Sequence, residues 1–497
     1  MRTVVAGVTL ASAHDVVDAR HLPRTGAVTL VAEHGVITEI RPTNGPLPGG
    51  DTVIDAAGLL ALPGLHDHHL HLLATAAALG SVDCSPAAVH ARGSLAAILA
   101  DADADSWIAE GRIPGGRRTG SRPTGTRWLR GVGFEEADGV VLDRDALDAA
   151  VPDRPVRVQH RSGAMWVLNS AALRLLPPLP HTADVERDAT GRPTGRLFRL
   201  DGLVGAAVGR EAPDLAAVGA LLASHGVTGV TDASPNLDDD TITLLDRATL
   251  DGALLQSVTL LGAPLTGHDR IDPWSGRGRL HAGPWKIHLH DHNLPAFNDL
   301  AAEVARAHDA GRPVAVHCVT RESLVLTLAA LQDRGPLPGD RIEHASIVPQ
   351  EILGWMRDLG VRVVTQPGFI AERGDYYLDK VDPLDLPHLY RYASLLAAGI
   401  PVSPSSDAPY TSPNPWAAVR AASIRTAPSG TVLSPTESVP AAAALDGYLS
   451  AADDPGGAVR TLVVGAPADL CLVNPAGDGG SPKVHVTVAA GKVTHGG

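Results

Sequence analysis

From Leu62 to Asp407 the chain alternates short β-branched runs with Ala- and Leu-rich helical stretches, and no other feature narrows its fold as far. Such alternation is the mark of parallel strands joined by helical crossovers. Strands are predicted at Trp285 to His290, Pro313 to Cys318, Arg341 to Ala345, Val361 to Gln366 and Pro401 to Asp407, separated by amphipathic segments such as Leu300 to Ala310 and Ser323 to Asp333. Leu62 to His71, Val227 to Asp232 and Leu255 to Leu261 bring the number to the eight that closes a barrel. The predicted fold is therefore α/β, a (β/α)8 TIM barrel.

The flanks have another texture. Residues 1–60 and the tail carry short alternating apolar runs between Gly, Pro and Asn turns, without helical period. They are read as one composite small β-domain, sandwich-like, built from 1–60 and 455–497, with the barrel over 61–454. The stretch from about 75 to 215 breaks the barrel rhythm and is read as an insertion after the first barrel strand, on the side where active sites of such barrels lie. It holds a Gly/Arg/Pro-rich piece, Gly111 to Thr126, strand-like Trp128 to Phe134 and Val156 to His160, and a helical Asn169 to Leu176.

Composition decides between classes of partner. A net charge of −14 over 497 residues argues against nucleic acid and anionic membrane, which need a basic field, and favours a small-molecule substrate. The apolar opening from Met1 to Ala13 is β-branched and Gly-interrupted, so it reads as a strand rather than a leader. No run reaches the ~18 apolar residues of a membrane span. Cys84, Cys318 and Cys471 lie far apart without CxxC spacing, which indicates a reducing cytoplasm. A homo-oligomer is compatible with the sequence.

The chemistry concentrates at predicted strand ends. His69 and His71 stand two apart on a strand and so share a face. Alone, such a pair is more often hydrogen-bonded or solvated than metal-bound. His317, His344 and Asp407 close three later strands, however, and strand ends converge on one pocket in a TIM barrel. Lys286 lies inside a barrel strand, where an unpaired ammonium is expensive. It is either a strand-end lysine reaching solvent or a lysine carboxylated by CO2 that bridges two divalent metals. His288, His290 and His292 follow at alternating positions as rival ligands.

These residues resemble the amidohydrolase superfamily, and more narrowly its branch of N-substituted formamide deformylase-like proteins. The family pattern P-G-[FL]-x-D-x-H-x-H matches Pro63 to His71, and the similarity runs on through Trp128 to Gly133, Asn169 to Leu173, Gly226 to Asp232, Arg341 to Ala345, Ser406 to Pro409 and Gly465 to Leu470. The resemblance implies that His69 and His71 bind a first metal, that Lys286 is the carboxylated bridge, that His317 and His344 bind a second, and that Asp407 is both a ligand and the catalytic proton shuttle. It implies one or two divalent ions per chain, zinc by preference, and hydrolysis of an amide or related C–N bond by metal-activated water.

Two departures bear on the substrate. The family's Asp-Gly-His before the Asn-Ser-x-Ala-Leu helix is replaced by Arg161-Ser162-Gly163, leaving His160, Arg161 and Trp166 as candidate substrate contacts. After His317 the chain reads Cys318-Val319-Thr320-Arg321-Glu322, with Arg321 either a carboxylate clamp or a solvated helix-start residue. A free-standing loop from Phe369 to Arg391 offers Tyr376. The competing activities are cyclic-amide hydrolysis, which uses the same ligands, and deamination, disfavoured because Thr320 stands where a ring-protonating Glu is needed. A non-catalytic binding protein of the same fold should have lost ligands, and all six positions are filled.

Overall fold

The computed structural model describes residues 1–18, 26–109, 128–136, 141–208, 213–265, 278–474 and 481–496; the Gly111 to Thr126 piece lies outside them. The chain divides into two compact units, one of Met1–Thr75 with Leu215–Gly497 and one of Ala76–Asp214.

In the first unit the parallel strands are Leu65–Leu70, Val227–Asp232, Ser257–Leu260, a split fourth strand, Val314–Cys318, Arg341–His344, Arg362–Thr365 and Val402–Pro404. The fourth strand is Leu280–Ala282, which pairs with the third, continued by Trp285–Ile287, which pairs with the fifth. Gly283 sits at the break, where a Cβ would meet Thr259 Cγ2 at 2.6 Å, so only glycine lets the two segments pass so close. The eighth strand meets the first just past their ends, where Asp407 N donates to His69 O (2.7 Å) and His71 N to Ala408 O (2.8 Å). The closed ring is a TIM barrel with its strands buried, as a parallel sheet between helices must be.

Both chain ends contribute to an eight-stranded sheet in this unit. Its order runs Lys492–His495, Lys483–Ala489, Leu470–Asn474, Leu60–Pro63, Arg2–Leu10, Val28–Glu33 and Val36–Pro42, with Thr52–Asp55 also paired to Arg2–Leu10. Val5, Val8, Leu30, Ile37, Leu470, Leu472 and Val488 fill its core. One continuous segment thus serves two sheets: Leu60–Pro63 pairs antiparallel with Leu470–Asn474, and after Gly64 the chain becomes the first barrel strand.

The second unit is the stretch between the first and second barrel strands. It has its own six-stranded mixed sheet, ordered Val185–Arg187, Pro193–Phe198, Met165–Leu168, Val156–His160, Leu129–Phe134 and Val82–Asp83. Leu129, Phe134, Leu147, Val156, Val158 and Val167 form a core separate from that of the barrel.

Candidate metal centre

Leu65–Leu70 is buried at all six positions, and His69 stands near its end with its ring wholly enclosed. His69 Nδ1 donates to Glu343 Oε2, so the lone pair lies on Nε2. That Nε2 is buried and has no hydrogen-bond partner, which is costly unless something electron-poor faces it. It faces Asp407 Oδ1 at 3.5 Å, an atom that also lies 3.3 Å from His71 Nε2. His71 is oriented by the contact of its Nδ1 with Ser234 Oγ at 3.2 Å. Two imidazole lone pairs and a carboxylate oxygen within 4.8 Å of one another suit a divalent ion, and among the described residues no other three His, Cys, Asp or Glu do so.

Electrostatics keep these groups in their ligating forms. Burial drives His69 well below the usual imidazole range and lowers His344 as well, which favours the neutral, ligating form of both rings. Burial by itself would raise Asp407, but the contact with His71 and the proximity of His69 and His344 outweigh it and hold the carboxyl at about 2. Lys286 is 4% exposed and forms no ion pair among the described residues; burial lowers its ammonium, which favours a neutral amine at the centre.

His344 extends the cluster. Its Nδ1 lies 2.8 Å from Gln366 Oε1 and 3.9 Å from Asp407 Oδ2, and its ring centre lies 4.7 Å from that of His69 and 4.4 Å from that of His317. The strand ends thus bring His69, His71, His317, His344 and Asp407 together. Lys286 is close enough to perturb His69, His317 and His344. His344 (φ 68°) and Asp407 (φ 54°) both adopt the left-handed conformation, which costs non-glycine residues about 1–3 kcal/mol each and persists where surrounding structure dictates it.

Four residues that position the site were not among the predicted site residues, although Asp232 and Gln366 close predicted strands and Asp67 is the fixed Asp of the Pro63 to His71 pattern. Glu343 accepts from His69 and, through its other oxygen, from Arg341 Nε at 2.5 Å; both side chains are fully buried. Gln366 orients His344. Asp67 Oδ1 accepts from His69 N and Ser406 N, and burial raises its carboxyl to about 6 against those hydrogen bonds. Asp232 accepts from Leu72 N and Ser234 N, fixing the backbone on either side of the His71 contact. The available signal was a charged Arg-x-Glu pair inside an apolar parallel strand.

A model of the amidohydrolase family matches residues 52–495. The chain belongs to the amidohydrolase family. Over 473 residues it is 27% identical to an N-substituted formamide deformylase of Arthrobacter pascens, covering 84% of this chain and 83% of that protein. Among solved structures, this amidohydrolase is similar to an uncharacterized metal-dependent hydrolase from Pyrococcus horikoshii OT3, with TM-score 0.67, 20% identity, and 95% and 97% of the two chains covered. It also resembles an adenosine deaminase from Xanthomonas campestris solved with bound zinc, with TM-score 0.53, 13% identity, and 99% and 93% covered.

The substrate candidates of this amidohydrolase fare unevenly. Arg321 opens the helix Arg321–Arg334, and its guanidinium is paired with Asp385. Tyr376 does not lie on a free-standing loop. Gly368–Lys380 is an α-helix, because Ile370, Gly374, Tyr377 and Val381 fall at helical spacing and pack inward, leaving Tyr376 52% exposed. In the second unit, His160 Nδ1 lies 2.8 Å from Ser162 Oγ, and Arg161 pairs with Glu135. Trp166 is 5% exposed, donates from Nε1 to Asp201 Oδ1 at 2.8 Å and packs in that unit's core.

Proposed function

We propose that this chain is a metal-dependent hydrolase of C–N bonds in small molecules, with His69, His71 and Asp407 holding the ion and N-substituted formamides or related amides as substrates. The observation that carries the reading is the unpartnered, buried Nε2 of His69 facing His71 and Asp407. A divalent ion bound there lowers the pKa of a water towards ~7 and polarises the scissile carbonyl. Asp407 takes the proton from the attacking water and delivers it to the leaving nitrogen as the C–O bond forms and the C–N bond breaks, releasing a carboxylic acid and an amine. Glu343 and Gln366 hold the rings of His69 and His344 in place.

Zinc is the ion this reading favours, since imidazole and carboxylate ligands suit it and a structurally similar deaminase carries it. A second ion on His317 and His344, bridged by a carboxylated Lys286, is the two-ion form of the same centre; the lowered ammonium supports it, because only the neutral amine combines with CO2. We also read 1–60 with 455–497 as a sandwich-like β-domain, 61–454 as the catalytic barrel and about 75–215 as its insertion, with His160 and Arg161 as that insertion's substrate candidates, whereas the buried Trp166 serves its core. Arg321 and Tyr376 complete the weaker candidates. A cytoplasmic location accords with three unpaired, buried cysteines, and no described helix is long and apolar enough to cross a membrane. A homo-oligomer remains part of the reading.

Cyclic-amide hydrolysis is the second reading, because its ligand set is the same. Deamination is disfavoured by Thr320, whose hydroxyl caps the following helix and donates to Asp291. The test is a panel of N-substituted formamides, N-acyl compounds and cyclic amides, assayed alongside metal analysis. Amine release lost in His69→Ala supports the proposal, whereas a metal-free wild type with unchanged turnover overturns it.

A further inference from the structure

A row of imidazoles leads outward from the metal centre to the surface. His317 and His288 have ring centres 4.6 Å apart, His288 and His290 4.7 Å, and His290 and His292 5.8 Å. His317 is half-buried, while the other three are exposed. No hydrogen bond or ion pair among the described residues occupies the ring nitrogens of His288, His290 or His292, whereas His69, His71 and His344 are each fixed by a partner through Nδ1.

We propose that His288 and His290, with His292 as an outer partner, form a second, solvent-facing site for a borderline divalent cation such as zinc, nickel or copper(II). His288 and His290 are two apart just after the strand Trp285–Ile287, both exposed on either side of buried Leu289, with their rings nearly perpendicular at 70°. Exposed imidazole pairs favour these metals over magnesium or calcium, which prefer oxygen ligands. The segment is held rather than loose. Asn293 N donates to His290 O at 2.8 Å, closing a turn, and Thr320 Oγ1 donates to Asp291 Oδ1 at 2.7 Å, tying the turn to the loop after Val314–Cys318. The Asp291 carboxylate is therefore a strut. Because these histidines make no group of three donors within 4.8 Å, water completes the coordination and the site binds more weakly than the inner centre.

This site rests on its own residues and is independent of the hydrolytic reading. Tag-free holoprotein, its inner centre filled with zinc, is titrated with copper(II) and followed by calorimetry and electron paramagnetic resonance. The expected result is one further equivalent, at least about tenfold weaker than the tight one, with nitrogen couplings from two imidazoles. It is lost in His290→Ala/His292→Ala, which keeps its tight zinc. Copper(II) binding unchanged in that variant, or no further equivalent in the wild type, overturns the proposal. Failure of the inner centre registers separately, as absence of the tight equivalent from both proteins.

Discussion

Glu343 joins His69 to Arg341: one carboxylate oxygen accepts the Nδ1 proton of the histidine and the other accepts from the guanidinium, all within a fully buried shell. Arg341 Nη2 in turn donates to His68 O at 3.0 Å, so the carboxylate that orients the ligand is braced against the strand bearing it. Such partners fix the tautomer and raise the basicity of a ligating imidazole. Glu343→Gln is expected to weaken metal retention by about 10- to 100-fold, read by competition with a chromogenic chelator, with an unchanged circular dichroism spectrum.

Asp407 combines a low carboxyl pKa with contacts to His69 and His71. The proton-transfer role proposed for it predicts that Asp407→Asn lowers turnover by about 10²- to 10⁴-fold. The measurement is kcat on protein reconstituted to full metal content, and turnover within a few-fold of wild type would remove Asp407 from the chemistry.

Burial depresses His68 to about 3 from 6.5. A histidine lowered in the folded state stabilises fully above pH 6.5 and loses that contribution as pH falls towards its folded value. By pH 5 the loss is ~2 kcal/mol from this residue alone. Urea unfolding at pH 7 and pH 5 should show a shallower pH slope for His68→Gln than for wild type, both at equal metal content.

Removing the ion leaves His69 Nε2 facing Asp407 without compensation. Chelation is expected to abolish hydrolysis and lower the melting temperature, and zinc at 100 times its Kd should restore about 2.7 kcal/mol of stability. A melt insensitive to chelator and zinc would contradict an ion at His69 and His71.

At Gly64, where the segment passes from one sheet to the other, a Cβ would meet Thr228 Oγ1 at 2.1 Å and Cγ2 at 2.3 Å. Gly64→Ala should destabilise by about 1–3 kcal/mol in calorimetric melts. Adding Thr228→Ala should recover part of that loss, since it removes the two nearest colliding atoms and leaves the Cβ of residue 228 at 2.7 Å.

The barrel strands were legible because buried parallel strands are apolar runs, and a histidine or aspartate ending such a run stands out, as His317, His344 and Asp407 do. Arg341 and Glu343 were not, because two charges on a strand suggest exposure until a three-dimensional partner such as His69 is known. The Phe369 to Arg391 stretch looked like a loop because Glu372, Arg373 and Asp375 crowd its solvent side and hide the stripe from Ile370 to Val381. Met165–Leu168 escaped notice for the opposite reason: four residues are too few to display a period, and its pairing with Val156–His160 and Pro193–Phe198 defines it as a strand.

The junction at Gly64 also governs timing. Gly64 N is held by Asp469 O, and the run leading to His69 and His71 pairs with Leu470–Asn474, so the first two ligands of a nascent chain wait for a strand made some 400 residues later. At ~5–20 residues per second that delay is roughly 20–80 s. On the proposed ligand set, an ion that arrives before Leu470–Asn474 is made meets His69 and His71 on a segment that still lacks its antiparallel partner.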